Sequence, residues 1–326
     1  MKTRLIAILS LVIYAISTFA QSDKFQEYKV AIPLCKDSLY GKLLLPCNST
    51  EPIPVALIIS GSGPTNMDGN TIAATGVITN NSLKMLAEQF AINGIASLRY
   101  DKRGIGSSAN VGVEEKDLRF DHYVADALAW IDFLKTHSEW SSITIVGHSE
   151  GSLIGMIAAN QHPAATQFIS LAGTGRPAYE VIEEQLSEQP KEIRDQVAMF
   201  NTTLRLGITL NEVPSYLEAL YRKSVQPYLI SWFKYNPQNE ISKLQIPTLI
   251  VQGDTDIQVG QSDAKLLNEA ARSSQISIIP EMNHILKHCS TLEKQTQLLT
   301  YSNPNLPLHP ALIPLLTDFI KQKNNE

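Results

Sequence analysis

The chain has 326 residues, of which 44% are hydrophobic and 18% are charged. This composition excludes a disordered chain, which would carry fewer apolar and more charged residues. The formal net charge is −5 at pH 7 and no basic run occurs, so there is no electrostatic reason to expect nucleic acid or anionic lipid as a partner. The length suits one large α/β domain or two small ones.

Residues 1–20 have the pattern of a secretory signal peptide. A short basic start precedes an almost wholly apolar stretch at 5–16, and Thr18-Phe19-Ala20 offers the small residues that a signal peptidase recognises. An uncleaved anchor is the alternative, but the apolar stretch is too short to span a bilayer comfortably. We therefore expect cleavage before Gln21 and a secreted or periplasmic mature chain without stable membrane insertion.

Export would permit a disulfide between Cys35 and Cys47. The two cysteines flank a segment that reads as a hairpin turn, with Gly41 near the bend, so they could lie on neighbouring strands. Two free thiols fit the same spacing, and the sequence leaves both states open. Cys289 has no obvious partner.

Six short apolar runs predict buried strands, because continuous runs of this length are typical of parallel strands covered on both faces. Helical spacing of apolar residues fills several of the intervals between them. This alternation predicts a mostly parallel, doubly wound α/β sheet. The predicted strands are 55–59, 95–98, 143–146, 168–171, 248–251 and 276–279, and the predicted core helices are 82–92, 123–134 and 152–160.

Residues 175–244 interrupt the alternation. They contain helical patterns, Trp232-Phe233 and five tyrosines, but no strand-like run. Because Pro214, Pro227 and Pro237 divide the segment into short pieces, we interpret it as a helical cap rather than as a buried helical layer. The predicted α/β core then comprises 21–174 and 245–326. The predicted cap helices are 179–186, 193–206 and 213–221.

The pentapeptide Gly147-His148-Ser149-Glu150-Gly151 has the spacing G-x-S-x-G, directly after a predicted strand and before a predicted helix. In this setting the two glycines permit a sharp turn that pushes the serine hydroxyl outward. The start of the helix also favours the negative charge that develops during acyl transfer. We therefore predict that Ser149 is a nucleophile.

A serine hydroxyl needs a base, and in this kind of sheet the nucleophile, the acid and the base follow in that order. The strand at 248–251 leads to Asp254 and Asp256, and the strand at 276–279 leads to His284. Asp254 is placed to brace the turn that it begins, so we predict that Asp256 is the acid. Asp256 would hold His284, the predicted base, in the productive tautomer.

His284 and His288 also have a spacing that could present two nitrogens to a metal ion on a helix. No Glu follows His284 directly, and no third ligand is evident nearby in the sequence. We therefore expect neither a metal nor an organic cofactor.

Acyl transfer also requires N–H donors for the oxyanion. One is expected from the backbone of Glu150, and the second from a loop after an early strand. The glycine-rich segment 60–66 follows the strand at 55–59, and its Ser62 N–H is our candidate, with a plain turn as the alternative.

The segment 99–108 is basic and contains glycines, as phosphate-binding loops do. It lacks the spacing of either phosphate-binding motif. We interpret it as a turn at the sheet edge in which Arg and Asp side chains brace neighbouring loops.

From about residue 55 onward the chain resembles α/β-hydrolase esterases of the serine-aminopeptidase-like and acyl-thioesterase-like branch. The resemblance implies an α/β-hydrolase fold with a helical cap, and it assigns Ser149 as nucleophile, Asp256 as acid and His284 as base. The matching motifs are Ser60-Gly61-Ser62-Gly63-Pro64, Asp101-Lys102-Arg103-Gly104-Ile105-Gly106, Gly147-His148-Ser149-Glu150-Gly151, Gly253-Asp254-Thr255-Asp256 and Asn283-His284, with Trp232-Phe233 in the predicted cap.

The matching motifs are specific for the fold and the triad but much less so for the substrate, because the branch includes carboxylesterases, thioesterases and peptidases. Our hypothesis is hydrolysis of a carboxylic ester, and the aromatic residues of the predicted cap suggest a small to medium acyl or aryl ester. A thioesterase, an aminopeptidase and a catalytically silent binding protein of the same fold remain alternatives. An aminopeptidase needs an anionic anchor for the substrate amine, for which Glu180, Glu183 and Glu184 are the candidates; they also read as a solvated helix face.

Overall fold

The computed structural model describes residues 24–34, 37–47, 52–73, 76–112, 114–136 and 140–322. The predicted signal peptide lies outside these ranges and stays a prediction, and Cys35 also lies outside them. Cys47 is described and is a free thiol, so of the two states that the sequence left open for the cysteines, the disulfide is not formed. Within the described ranges, no helix has the length and apolar character needed to cross a bilayer.

A mostly parallel sheet of eight strands forms the centre of the molecule, and a separate two-stranded hairpin accompanies it. The strands in chain order are β1 (Phe25–Leu34), β2 (Asp37–Pro46), β3 (Ile53–Ile59), β4 (Thr71–Ala73), β5 (Gly76–Ile78), β6 (Ala96–Tyr100), β7 (Trp140–His148), β8 (Gln167–Leu171), β9 (Thr248–Gly253) and β10 (Ser274–Ile279). The order across the large sheet is β1-β2-β6-β3-β7-β8-β9-β10, so β1 and β10 are its edges. Neighbours from β6 to β10 are parallel, whereas β2 is antiparallel to both of its neighbours.

Helices cover both faces of the sheet. In chain order they are α1 (Ser82–Ile92), α2 (Phe120–Lys135), α3 (Glu150–Gln161), α4 (Ala178–Gln185), α5 (Lys191–Arg205), α6 (Glu218–Tyr221), α7 (Gln226–Trp232), α8 (Pro237–Ile241), α9 (Gln261–Ala270), α10 (Lys294–Tyr301) and α11 (Leu312–Lys321). In β3, Leu57 belongs to the apolar layer that contains α2 and α3, whereas Ile58 belongs to the layer that contains α1 and α11. Burial on both faces explains why the strands have continuous apolar sequences, and the predicted doubly wound fold is confirmed.

The hairpin of β1 and β2 differs from the sequence prediction. The two strands pair from Phe25 opposite Pro46 to Leu34 opposite Asp37, which places Gly41 within β2 rather than near the bend. The prediction for this glycine was wrong, because close packing and not a turn requires glycine at position 41. A Cβ there would lie 2.9 Å from the carbonyl oxygen of Arg99.

Residues 172–247, all of them described, contain helices but no strand. The predicted cap helices at 179–186 and 193–206 correspond to α4 and α5, whereas the third is limited to the short α6. The sequence prediction missed α7 and α8, which both have proline in the first helical turn, where its missing N–H has little cost. The ring of Phe120 in α2 stacks on Trp232, with centroids 6.1 Å apart, so this segment packs on the core. The division into core and cap stays a prediction.

The carboxyl ends of the parallel strands lie at one edge of the sheet, which is where open α/β sheets place their sites. The loops after β3, β6, β7, β9 and β10 all begin there. At this edge Gly253, the last residue of β9, is in close contact with the loop after β10, because a Cβ on it would lie 1.8 Å from the carbonyl oxygen of Met282.

We predict that Gly253→Ala destabilises the protein, because the added methyl group would force the end of β9 and the loop after β10 apart. Overpacking of this kind lowers the free energy of unfolding by about 1–3 kcal/mol, which urea denaturation would measure. Gly260→Ala is the matched control, since its Cβ would have Ser262 Oγ as nearest atom at 3.3 Å. Equal losses in the two variants would contradict the prediction.

Candidate active site

Ser149 occupies the turn between β7 and α3 with φ 54° and ψ −122°. A side-chain-bearing residue rarely adopts this backbone conformation, which costs about 1–3 kcal/mol. The Ser149 N–H donates to the carbonyl oxygen of Leu171 in β8 at 2.9 Å, which helps to hold the turn. A Cβ at Gly147 would lie 2.3 Å from Gly151 O, and one at Gly151 would lie 2.4 Å from Ile59 O. Both positions therefore require glycine, for the reason that the sequence motif suggests.

Asp256 and His284 are joined by a hydrogen bond of 2.8 Å between Oδ2 and Nδ1. Oδ2 also accepts from Gln252 Nε2 at 2.9 Å, and Oδ1 accepts from the backbone N–H groups of Gln258 and Val259 at 2.7 and 3.0 Å. Burial by itself raises the pKa of Asp256, but the electrostatic interaction and the hydrogen bond with His284, together with these backbone donors, bring the pKa below its ordinary value. Asp256 is therefore a carboxylate at neutral pH.

The ring of His284 is oriented by this carboxylate. Because the Asp256 carboxylate accepts a hydrogen bond from Nδ1 of His284, the proton of the neutral ring lies on Nδ1 and its lone pair lies on Nε2. His284 is buried, and its loop is anchored by Lys287, whose Nζ donates to Asn80 O at 2.6 Å and Asn303 O at 2.7 Å. The structure thus brings together the predicted acid and base and leaves the nitrogen that a base uses available.

His148, for which the sequence suggested no role, connects the serine turn to this pair. Its Nε2–H donates to the carbonyl oxygen of His284 at 2.8 Å, and the two ring centroids are 4.9 Å apart. Ser149 follows His148 directly, so the turn and the His284 loop lie side by side. Burial, and to a smaller extent the neighbouring His284, lower the pKa of His148 to about 4.

The residues that competed for the acid and base roles have other partners. Asp254 accepts the backbone N–H of Glu281 at 2.6 Å and so braces the turn. The exposed His288 bonds Glu281 Oε2 at 3.0 Å and stacks on His309. Among the described residues, no group of three or more His, Cys, Asp or Glu side chains is arranged to hold a metal ion.

The loop after β3 lies against the serine turn, as the prediction for Ser62 requires. A Cβ on Gly61 would lie 3.1 Å from the Cβ of Ser149. Ser62 is exposed, and its carbonyl oxygen accepts from Thr65 Oγ1 at 2.8 Å. Glu150 begins α3, so its N–H has no acceptor within the helix. The oxyanion roles of Ser62 and Glu150, like the triad roles, stay predictions.

Sequence reasoning missed a buried cluster beside these donors. Lys102 Nζ pairs with Glu150 Oε2 at 3.1 Å and donates to Gly61 O at 2.6 Å, and the hydroxyl of Tyr228 in α7 donates to Glu150 Oε1. The interpretation of 99–108 as a bracing turn fits Asp101, which accepts the N–H groups of Met67 and Ser107 at 2.7 Å. It overlooked Lys102, because nothing in the local pattern shows that a loop lysine is buried.

The glutamates considered as an amine anchor lie on the exposed face of α4. Glu184 pairs with Arg176, and Glu183 accepts from Asn201 Nδ2 at 3.0 Å. Their exposure supports the solvated-face interpretation.

We predict that low pH destabilises the folded protein, partly because of His148. The pKa of this buried ring is lowered from 6.5 to about 4, so in that range the unfolded chain binds a proton that the folded chain does not. The free energy of unfolding therefore falls as the pH falls through this window, by about 3 kcal/mol in total. His148→Gln should lose less stability than the parent between about pH 7 and about pH 5 in urea denaturation. Equal losses would show that His148 does not contribute.

Comparison with known proteins gives both sequence relatives and related folds. A family model described as serine aminopeptidase, S33, matches residues 78–215. Esterase EstD of Thermotoga maritima is 26% identical over 288 residues, which cover 84% of this chain and 63% of the relative. Serine hydrolase BPHL of Mus musculus is 28% identical over 57% of this chain and 62% of the relative. The chain thus matches less than two thirds of the length of these curated relatives.

Two solved structures share the architecture over almost the whole chain. Est1E from Butyrivibrio proteoclasticus has a TM-score of 0.57 and 20% identity, covering 90% of this chain and 99% of that one. The α/β hydrolase GrgF from Penicillium sp. sh18 has a TM-score of 0.56 and 19% identity, covering 91% and 98%. At these identities the likeness concerns the fold. With the sequence relatives, it confirms the predicted resemblance to the α/β-hydrolase superfamily and the predicted α/β-hydrolase fold.

Proposed function

We propose that the protein is a serine hydrolase that cleaves small carboxylic esters through an acyl-enzyme intermediate. The observation that carries this proposal is the 2.8 Å hydrogen bond between Asp256 and His284, in a loop that lies beside the strained turn of Ser149. This pair can keep a basic nitrogen next to a serine hydroxyl, which is what activates a serine nucleophile.

In the acylation step, His284 Nε2 takes the proton of the Ser149 hydroxyl as its oxygen attacks the acyl carbon. The carbonyl oxygen of the ester becomes an oxyanion, which accepts from the backbone N–H groups of Glu150 and Ser62. Asp256 stabilises the imidazolium that forms. Collapse of the tetrahedral intermediate expels the alcohol, which takes its proton from His284.

In the deacylation step, His284 removes a proton from water, and the resulting nucleophile attacks the acyl group on Ser149. A second oxyanion forms at the same two donors and collapses to release the carboxylic acid. His284 returns the proton to Ser149, so the cycle leaves the enzyme unchanged.

The charge distribution supports an ester substrate over a peptide with a free amino terminus. The buried carboxylate that adjoins Ser149 in the chain, that of Glu150, is paired with Lys102 rather than available to a substrate ammonium group. The matched family description favours an aminopeptidase, whereas the name of the relative EstD favours an esterase. Thioesters would undergo the same acyl transfer, so the mechanism does not distinguish an alcohol from a thiol as leaving group. Assays with both kinds of substrate would distinguish them.

We also propose that the chain is exported to the periplasm or the medium, on the pattern of residues 1–20. Expression of the full chain should give an exported product whose mass corresponds to a start at Gln21. A product that keeps its first residues and stays inside the cell would contradict export.

We predict that the protein hydrolyses short p-nitrophenyl esters and reacts with a fluorophosphonate probe, and that Ser149→Ala abolishes both. The loss in kcat should be about 10⁴-fold or more, because the covalent step has no other nucleophile. Activity that survives this substitution would refute the mechanism. Absence of both activities in the parent would favour a silent binding protein, and faster cleavage of aminoacyl anilides than of esters would favour the aminopeptidase.

The matched variants Asp256→Asn and Asp254→Asn test the acid in the same assay. Asp256→Asn should reduce kcat by about 10⁴-fold, because an amide does not fix the productive tautomer of His284. Asp254→Asn should change kcat little, since Asp254 accepts a backbone N–H in the turn. The reverse order of effects would reassign the acid.

A further inference from the structure

Lys102, in the loop after β6, is a buried lysine in contact with the loop that carries the second oxyanion donor. Its side chain is 1% exposed. Its Nζ donates to the carbonyl oxygen of Gly61 at 2.6 Å and pairs with Glu150 Oε2 at 3.1 Å. The ammonium group also lies 4.8 Å from the ring centroid of Tyr123. None of the steps of the proposed reaction uses this lysine.

The bond to Gly61 fixes the direction of the Ser62 N–H. The carbonyl group of Gly61 and the N–H of Ser62 belong to one planar trans peptide, so they point in opposite directions. A lysine that holds the carbonyl oxygen on one side therefore directs the N–H to the other side. Glycine is conformationally permissive, and Gly61 and Gly63 flank Ser62, so without this bond the peptide could rotate.

Glu150 connects the same lysine to the first oxyanion donor. Its backbone N–H is the proposed donor, and its carboxylate, 2% exposed, holds Lys102. Tyr228 in α7 donates to the other carboxylate oxygen, which ties the helical segment between β8 and β9 to the pair. A single buried ion pair thus links the two segments that supply the donors.

We propose that Lys102, held by Glu150, is a positioning residue that sets the direction of the Ser62 N–H in the oxyanion hole. This inference rests on the proposed function, since an oxyanion must form for the donor to matter. Lys102 acts through the Gly61–Ser62 peptide and does not touch the substrate. Its contribution is then made in the transition state, where the oxyanion exists, and not in the bound substrate.

The test is Lys102→Met in the full-length protein, with a p-nitrophenyl ester as substrate. Loss of one oxyanion donor reduces kcat by about 10²–10³-fold, and we expect a fall of this size with little change in KM. The serine hydroxyl adds to the carbonyl group of a trifluoromethyl ketone and forms an oxyanion. The affinity of Lys102→Met for this ketone should therefore fall by a similar factor. The corresponding secondary alcohol forms no oxyanion, so its affinity should be unchanged. The apparent pKa of the pH–rate profile should also be unchanged, because the substitution does not alter the hydrogen bond between His284 and Asp256.

The double variant Lys102→Met/Glu150→Gln separates positioning from charge balance. Removing Lys102 alone leaves a buried, unpaired carboxylate, whereas the double variant leaves no unpaired charge. If Lys102 served only to neutralise Glu150, the double variant would recover the parent rate. We expect no recovery, because Gly61 O still lacks its donor. The double variant also carries the test if the single variant does not fold.

Arg103→Met is the matched control, since Arg103 forms a neighbouring buried ion pair with Asp126. It should lower stability but leave the rate per active site unchanged, with active sites counted by fluorophosphonate titration. The inference is overturned by any of three results. Lys102→Met could leave the rate per active site unchanged, as the control does, or lower the affinities for the ketone and the alcohol equally. It could also shift the apparent pKa of the pH–rate profile. Failure of the proposed function is distinguishable, because the parent protein would then neither react nor hydrolyse esters.

Discussion

The left-handed backbone of Ser149 is the constraint on which the rest of the site depends. A turn with φ 54° is maintained only where the surroundings overdetermine it. Here the hydrogen bond to Leu171 in β8 and the contact of Gly151 with Ile59 O at the end of β3 hold the turn from two sides. The strands on either side of β7 therefore fix the serine, and the loop that continues from β3 is brought beside it by the same contact.

Buried charged groups around this turn have partners from different segments. The carboxylate of Asp256 meets the ring of His284 across the ends of β9 and β10, and Lys102 meets Glu150 across the β6 loop and α3. The Lys102–Glu150 ion pair contributes little net stability, because the desolvation of two charges offsets most of their attraction. The hydrogen bonds of both pairs matter in another way. What they provide is a fixed direction for N–H groups and lone pairs. In the proposed reaction, that direction determines whether the charge that develops on the oxyanion meets a donor.

Much of the fold and of the candidate site follows from sequence patterns. The apolar runs correspond to β3 and to β6 through β10, and the order of strand ends points to Ser149, Asp256 and His284. The Lys102–Glu150 pair could not be found this way, since its members are 48 positions apart and a buried loop lysine has no periodicity. Gly41 was misread because a glycine required by close packing looks like a glycine required by a turn.

The position of β10 at the sheet edge has a consequence for inactivation. Among the described strands β10 pairs with β9 alone, and Ile276 on it is 38% exposed. The loop with the proposed base continues from this strand, whereas Ser149 continues from the central β7. Local opening of an edge needs less free energy than global unfolding. Heat or denaturant would then separate His284 from Ser149 while most of the helices and strands persist, so the loss of turnover would measure the opening of one edge and not the melting of the domain.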